Sequence, residues 1–238
     1  MCTLSLCCFI AQKEALLQFK SSLAQAPIND EILFDLESWS SASDCCQWDR
    51  AECRPSSMPL KPVVSLDLSK LYIDTFSALT PIFKIQSLTK LDISQNFLHG
   101  EIPVSRLANL TRLTHLDMSN NNLDGRIPLQ LFGLTHLQHL DLSGNSFHGE
   151  LSSEVGNLAN LRFLNLAGNC LSGEIPKELA NLTKLQHLSL RENRFSGRVP
   201  MSILQMKELQ FLDLQKNLPL IGEFFGESRP CSICFSNM

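Results

Sequence analysis

The 238-residue chain has one tyrosine and two tryptophans, and its 20 basic residues are outnumbered by 24 acidic ones. With no cluster of Lys or Arg and only these three Trp and Tyr residues, a nucleic-acid groove is excluded. No apolar run reaches the length that a helix needs to cross a bilayer, so the chain as it stands is read without a membrane span. The short motifs of familiar chemistry are missing too. There is no phosphate-cradling G-x-x-x-x-G-K, no kinase glycine-rich loop, and no serine on a nucleophile turn with His and Asp in order. These gaps point to a non-enzyme that needs no cofactor and no metal.

What is present is repetition. The stretch LDISQNFLHGEIP (91–103) returns as LDMSNNNLDGRIP (116–128), LDLSGNSFHGELS (140–152), LNLAGNCLSGEIP (164–176) and LSLRENRFSGRVP (188–200). A distorted copy, LDLQKNLPLIGEF, spans 212–224, and a degenerate one, LDLSKLYIDTF, begins at 66. The first Leu of the unit stands at 66, 91, 116, 140, 164, 188 and 212, a step of 25 and then of 24. A period of this size fixes the architecture before any local assignment matters.

Within each unit, Leu at alternate positions points one way and the residues between point the other, the mark of a short strand with one buried face. A single unit cannot bury its Leu residues alone, so neighbouring units must stack into a continuous core. The column Asn96, Asn121, Asn145, Asn169, Asn193, Asn217 falls where the chain leaves the strand, and a side-chain amide there can pair with backbone groups that no ladder reaches. Leu71 breaks that column in the first unit, which is expected to be tolerated if a cap supplies other partners there. Glycines such as Gly100 and Gly173 permit the next bend, and Pro103, Pro128, Pro176 and Pro200 stop a ladder from continuing, with Ser152 the exception. A Leu-rich helical bundle is ruled out, because Gly and Pro recur where helices would have to continue.

The pattern L-x-x-L-x-L-x-x-N-x-L-x-G-x-I-P resembles the plant-type leucine-rich repeat over about residues 63–226. The resemblance implies an α/β solenoid, a right-handed leucine-rich-repeat superhelix with a concave parallel β-sheet and a helical, disulfide-bonded N-terminal cap. The expected organisation is an apolar N-terminus (1–11) read as a signal-peptide remnant, a cap (12–62), seven repeats (63–226) with irregular ends, and a divergent tail (227–238). In the cap, Leu16, Phe19 and Leu23 share one face of a helix that Pro27 should end.

The stretch DCCQWDRAEC resembles the end of the plant leucine-rich-repeat cap, with Arg50 and Ala51 standing where that family has Gly and Val. By that resemblance Cys46 pairs with Cys53, and Cys45 with Cys8 or Cys7. The competing reading, a zinc site, lacks usual ligand spacing and a nearby His. Disulfides imply an oxidising compartment. The sequence MCTLSLCCFIAQK is apolar but short and without a basic start, so a cut or altered N-terminus is expected. Cys231 and Cys234 form a C-x-x-C without a second pair and are read as the remnant of a C-terminal cap or a truncated end. The sequons at Asn109 and Asn181 occupy the same phase of their repeats and are read as glycan sites away from the strand face.

Stacked strands turn the outward residues into columns on a concave face. The column just before the first strand Leu reads Ser65, Lys90, His115, His139, Phe163, His187, Phe211, and the next reads Asp67, Asp92, Asp117, Asp141, Asn165, Ser189, Asp213. His115 and His139 should be ladder neighbours about 4.8 Å apart, each beside an Asp; as ordinary filler on a solvated strand they are not taken as a metal or acid–base site. Composition changes along the face, since Phe163, Arg191, Glu192, Phe211 and Lys216 enter in the last three units. Exposed aromatics and Arg make binding hot spots, so Phe163, Asn165, His187, Ser189, Arg191, Phe211, Asp213 and Gln215 form the candidate ligand-binding face.

The family resemblance implies an extracellular ligand-recognition module of a plant receptor-like protein. It would take a protein, peptide or glycan ligand in defence or developmental signalling, with a co-receptor kinase as partner, in the apoplast or at the outer face of the plasma membrane. Two alternatives stay open: a secreted inhibitor of a cell-wall-degrading enzyme, resembling polygalacturonase-inhibiting proteins, and an inactive truncated receptor fragment.

Overall fold

A computed structural model describes residues 7–24, 35–55 and 60–221. The elements begin with β1 (Cys7–Cys8), α1 (Ile10–Ala24), β2 (Ala51–Cys53), β3 (Leu60–Lys61), β4 (Val63–Asp67), β5 (Lys90–Asp92) and β6 (His99–Gly100). There follow α2 (Val104–Leu107), β7 (His115–Asp117), β8 (Asn122–Leu123), β9 (His139–Asp141), β10 (His148–Glu150), β11 (Phe163–Asn165) and β12 (Cys170–Glu174). The last are β13 (His187–Ser189), β14 (Arg194–Arg198), α3 (Met201–Leu204), β15 (Phe211–Asp213) and β16 (Leu220–Ile221). Short 3-10 turns fill the side opposite the sheet, as at Leu129–Gly133, Ser153–Asn157 and Lys177–Asn181.

One eight-stranded sheet, in the order β15-β13-β11-β9-β7-β5-β4-β2, carries the repeated L-x-L elements. Its seven repeat strands are parallel, and β2 of the cap closes one edge by pairing antiparallel with β4. Register is strict: Leu66, Leu91, Leu116, Leu140, Leu164, Leu188 and Leu212 stand opposite one another in succession and are all buried. A second parallel sheet, β10-β12-β14-β16, and the pair β6-β8 run along the flank where each unit makes its next bend. Glycine is required there. Gly173 has φ +82°, and a Cβ on it would sit 2.8 Å from the Glu150 side chain of the preceding repeat.

The asparagine column acts backwards along the chain. Asn121 Oδ1 accepts from the Leu98 N–H at 3.1 Å, while its Nδ2 donates to the Ile93 carbonyl at 3.0 Å; both partners belong to the preceding repeat. The same amide also donates to the Met118 and Ser119 carbonyls of its own repeat. Asn145, Asn169, Asn193 and Asn217 repeat this pattern, accepting from Leu123, Phe147, Leu171 and Phe195. Asn96 serves the first unit and accepts from both Leu71 and Ile73 at 3.0 Å. The exception at position 71 is therefore served from both sides, by the next repeat and, as expected, by the cap. Asn96 of the next repeat also donates to the Leu68 carbonyl, the cap's Arg50 donates to the Ser69 carbonyl, and Leu71, with no earlier repeat to serve, is fully buried as a core residue.

The cap is as expected in its helix, where Leu16, Phe19 and Leu23 are buried. Trp39 lies between Phe19 and a stacked Trp48, with ring centroids 6.2 Å and 5.4 Å away, and its indole N–H donates to the Asp49 carbonyl. The structure pairs Cys46 with Cys53 and, of the two options for Cys45, selects Cys8, whose Cα lies 5.7 Å from that of Cys45. Disulfide bonding of all three clustered cysteines displaces the zinc reading. Cys8 is itself buried in β1, and Cys170 opens a strand in mid-chain, so the cysteines are less confined to loops at the ends than their spacing suggests. Arg50 has φ +66°, the left-handed backbone that favours Gly, and its guanidinium bridges Asp35 and the Ser69 carbonyl. Among the described residues no helix is long and apolar enough to cross a membrane. Pro27, Cys231 and Cys234 lie outside the described residues.

Two substitutions test this packing by urea unfolding. Leu164→Ala should cost about 2–5 kcal/mol, as for other buried large-to-small changes. Leu71→Asn, which restores the repeat pattern, should nevertheless destabilise by about 1–3 kcal/mol, because the new amide oxygen has no preceding repeat to accept from; a gain in stability would contradict the backward service of the column.

Candidate functional site

The concave face is built from the outward positions of the main sheet. Because the strands are in register, the column before the first Leu brings His115, His139, Phe163, His187 and Phe211 side by side on β7, β9, β11, β13 and β15. Their rings form one continuous stack. Successive centroids are 5.7, 4.2, 4.4 and 4.2 Å apart, and the planes differ by 16°, 7°, 14° and 4°. The spacing follows the separation of hydrogen-bonded strands, about 4.7–4.9 Å, so the ladder imposes a face-to-face arrangement that free rings would avoid in favour of an offset. All five residues are half-buried. The inner rings cover each other's faces, so a ligand on the sheet meets a row of ring edges.

The candidate residues were expected to present protruding aromatics, yet Phe163 and Phe211 are wedged against the imidazoles of His139 and His187. The structure adds His139 and His115 to the set. Both stand in the column visible in the sequence, and the available signal was a run of planar side chains at one register position.

Beside the rings runs the acidic column. Asp92, Asp117 and Asp141 each accept the N–H of the residue two positions on, Ser94, Ser119 and Ser143, at 2.9 Å. Asn165 accepts from Ala167 in the same way and donates to Asp141 Oδ2 at 3.0 Å. Burial pushes the Asp117 carboxyl above its usual range; the Ser119 N–H and hydroxyl oppose the shift, and Asp141 and Asp92 add to it. One carboxylate oxygen from each of Asp117 and Asp141 and a ring nitrogen of His139 lie within 4.8 Å of one another, close enough to share a cation.

The remaining candidates are arranged differently. Ser189 and Asp213 are buried, at 6% and 8% exposure, and offer little surface to a ligand. Arg191 is committed within the chain: its guanidinium contacts Gln215, Asp213 Oδ2 at 3.6 Å and Glu192 at 3.3 Å. Lys216 closes this network on Glu192 at 2.6 Å and, by that hydrogen bond and its charge, holds the Glu192 carboxyl below the ordinary range. Asn109 and Asn181 are exposed on the turn side, away from the concave strands.

Burial lowers the pKa of His115, helped by Lys90 and His139. It also lowers that of His187, where Asp141 and Asp213 oppose the shift and His139 adds to it. Both rings are therefore neutral in the folded chain at a pH where the unfolded chain has begun to bind protons. Their effect on stability is nil above 6.5, and stability falls as pH drops from 6.5 toward the lower folded pKa values. Imidazole proton shifts followed by NMR should show His115 and His187 titrating below 6.5; midpoints above that value would contradict the stacked, desolvated arrangement.

Comparison with known proteins agrees with this architecture. The model of the leucine rich repeat N-terminal domain matches residues 10–54, and two leucine rich repeat models match 86–147 and then 160–182 and 184–206; together they take in more than half of the chain. Receptor-like protein 46 of Arabidopsis thaliana is 42% identical over 89 residues, which are 36% of this chain and 11% of that protein. The solved structure of PEPR1-AtPEP1 aligns with a TM-score of 0.70 and 29% identity over 92% of this chain and 31% of its own. A plant ice-binding protein aligns with a TM-score of 0.68 and 29% identity over 90% of this chain and 73% of its own. The chain belongs to the leucine-rich-repeat family, and its cap and repeats are similar to those of a plant receptor-like protein.

Proposed function

We propose that this chain is the extracellular ligand-recognition module of a receptor-like protein, taking a peptide, glycan or microbial protein on its concave face in defence or developmental signalling, with a co-receptor kinase as partner. The observation that carries the reading is the unbroken ladder of half-buried rings from His115 to Phe211. Scattered filler on an unused surface has no reason to align five planar side chains in one column. An aromatic row on a rigid sheet offers large contact area at small entropic cost. The match to Receptor-like protein 46 and the likeness to the PEPR1-AtPEP1 complex support a binding role rather than a catalytic one. The two cap disulfides and the exposed sequons at Asn109 and Asn181 support an oxidising, extracellular setting.

The test is paired. Expressed in plant cells behind a secretion leader, the chain should carry glycans at both sequons, so that Asn109→Gln and Asn181→Gln each remove one glycosidase-sensitive step on a gel. A ligand recovered from extracellular fluid by the wild-type chain should bind Phe163→Ala/Phe211→Ala at least about tenfold more weakly, near 1.4 kcal/mol, while the variant stays folded. Unglycosylated chain would contradict the compartment, and equal affinity would contradict the ladder as the binding face.

A further inference from the structure

The charge on the concave face is unevenly compensated, and the unevenness identifies a ligand class for the site described above. At one end Asp67 lies 3.6 Å from Arg50. At the other, Asp213 lies 3.6 Å from Arg191, and Glu192 is bridged by Arg191 and Lys216. Between them, Asp92, Asp117 and Asp141 stand in register on β5, β7 and β9, and among the described residues none makes an ion pair. Lys90, one position before Asp92 in the column layout, makes none either. The carboxylates without a cationic partner thus occupy the centre of the sheet, alongside the ring edges of His115 and His139.

We infer that this face docks an extended peptide segment that is both basic and aromatic, with its Arg or Lys side chains over Asp92, Asp117 and Asp141 and its apolar side chains along the rings through Phe163 to Phe211. The inference rests on the concave-face reading above and adds to it the sign of the ligand's charge. Two strand spacings separate the outer two carboxylates by about 10 Å, within reach of the long cationic side chains of residues two apart, on the same face of an extended backbone. A guanidinium is well suited because it is weakly hydrated, pairs with carboxylates through two N–H groups and packs against rings. Complementary charge would also steer the encounter and make it salt-dependent.

The sheet itself supplies the control substitution. Asn165 occupies the acidic column and still accepts the N–H two residues on, at 3.1 Å from Ala167. Asp92→Asn/Asp117→Asn/Asp141→Asn therefore removes the charge while keeping the turn hydrogen bonds, and gives up the bond from Asn165 Nδ2 to Asp141 Oδ2. The probes are a short synthetic peptide with Arg at two alternate positions followed by Phe at the next two alternate positions and Ser between them, so that both types share one face of an extended backbone, the same peptide with Glu for Arg, and one with Ser for Arg, each titrated calorimetrically into the full chain at low salt. The Arg peptide should bind, weaken with added salt, and lose at least about tenfold in the triple variant, with the Glu peptide showing no binding. Equal binding of Arg and Ser peptides, or of wild type and variant, would overturn the charge assignment while leaving the ring face intact. Failure of all three peptides would overturn both readings. Retention of zinc by the wild type, lost in the triple variant and without any peptide binding, would make the carboxylates a metal site and overturn the peptide assignment.

Discussion

The whole structure depends on one hydrogen-bonding arrangement, in which the carboxamide of each column asparagine completes the backbone of the repeat before it. Where a strand gives way to a bend, the N–H and C=O groups have no ladder, and in a dry core each unpaired group costs about 1–3 kcal/mol. Asn169 Oδ1 meets the Phe147 N–H, and its Nδ2 meets the Leu142 carbonyl. A repeat is therefore satisfied only when its successor is in place. This makes the solenoid directional, and it explains how the first unit keeps Leu71 in its core while Asn96 supplies the missing partners.

Such fixed stacking has a consequence on the solvent side. A step of one strand per repeat brings any outward position into contact with the same position of its neighbours. Two adjacent columns here differ in kind: one holds five rings, and the other holds carboxylates. The rings are held by the sheet before any ligand arrives, so little ordering is left to be done on binding. Burial raises the Asp117 carboxyl first, and its neighbours Asp141 and Asp92 add to the rise; an approaching cation would relieve that added repulsion.

Much of this was legible in the residues. The Leu period located every repeat strand, Leu16, Phe19 and Leu23 gave the buried face of the cap helix, and the Asn column marked the turns. What the sequence left open depended on side-chain direction across the stack. It could not choose between Cys7 and Cys8, because adjacent residues on a short strand point to opposite sides. It put the partners of the first unit in the cap, where Arg50 does serve the Ser69 carbonyl, but a missing Asn at position 71 does not show that Asn96 of the next repeat serves Leu71 and Ile73. His115 and His139 read as solvated filler; only the register and ring orientations join them to Phe163. Arg191 read as a free hot spot, whereas its partners Gln215 and Asp213 come from the next repeat.

Hydrogen–deuterium exchange on the Asn169→Ala chain tests the directional stacking most directly. If each asparagine serves the repeat before it, the variant should lose protection first at Phe147 and its neighbours in the preceding unit, with the strand at 163–165 still slow to exchange. Loss confined to the repeat that contains residue 169, with Phe147 as protected as in the parent chain, would contradict it.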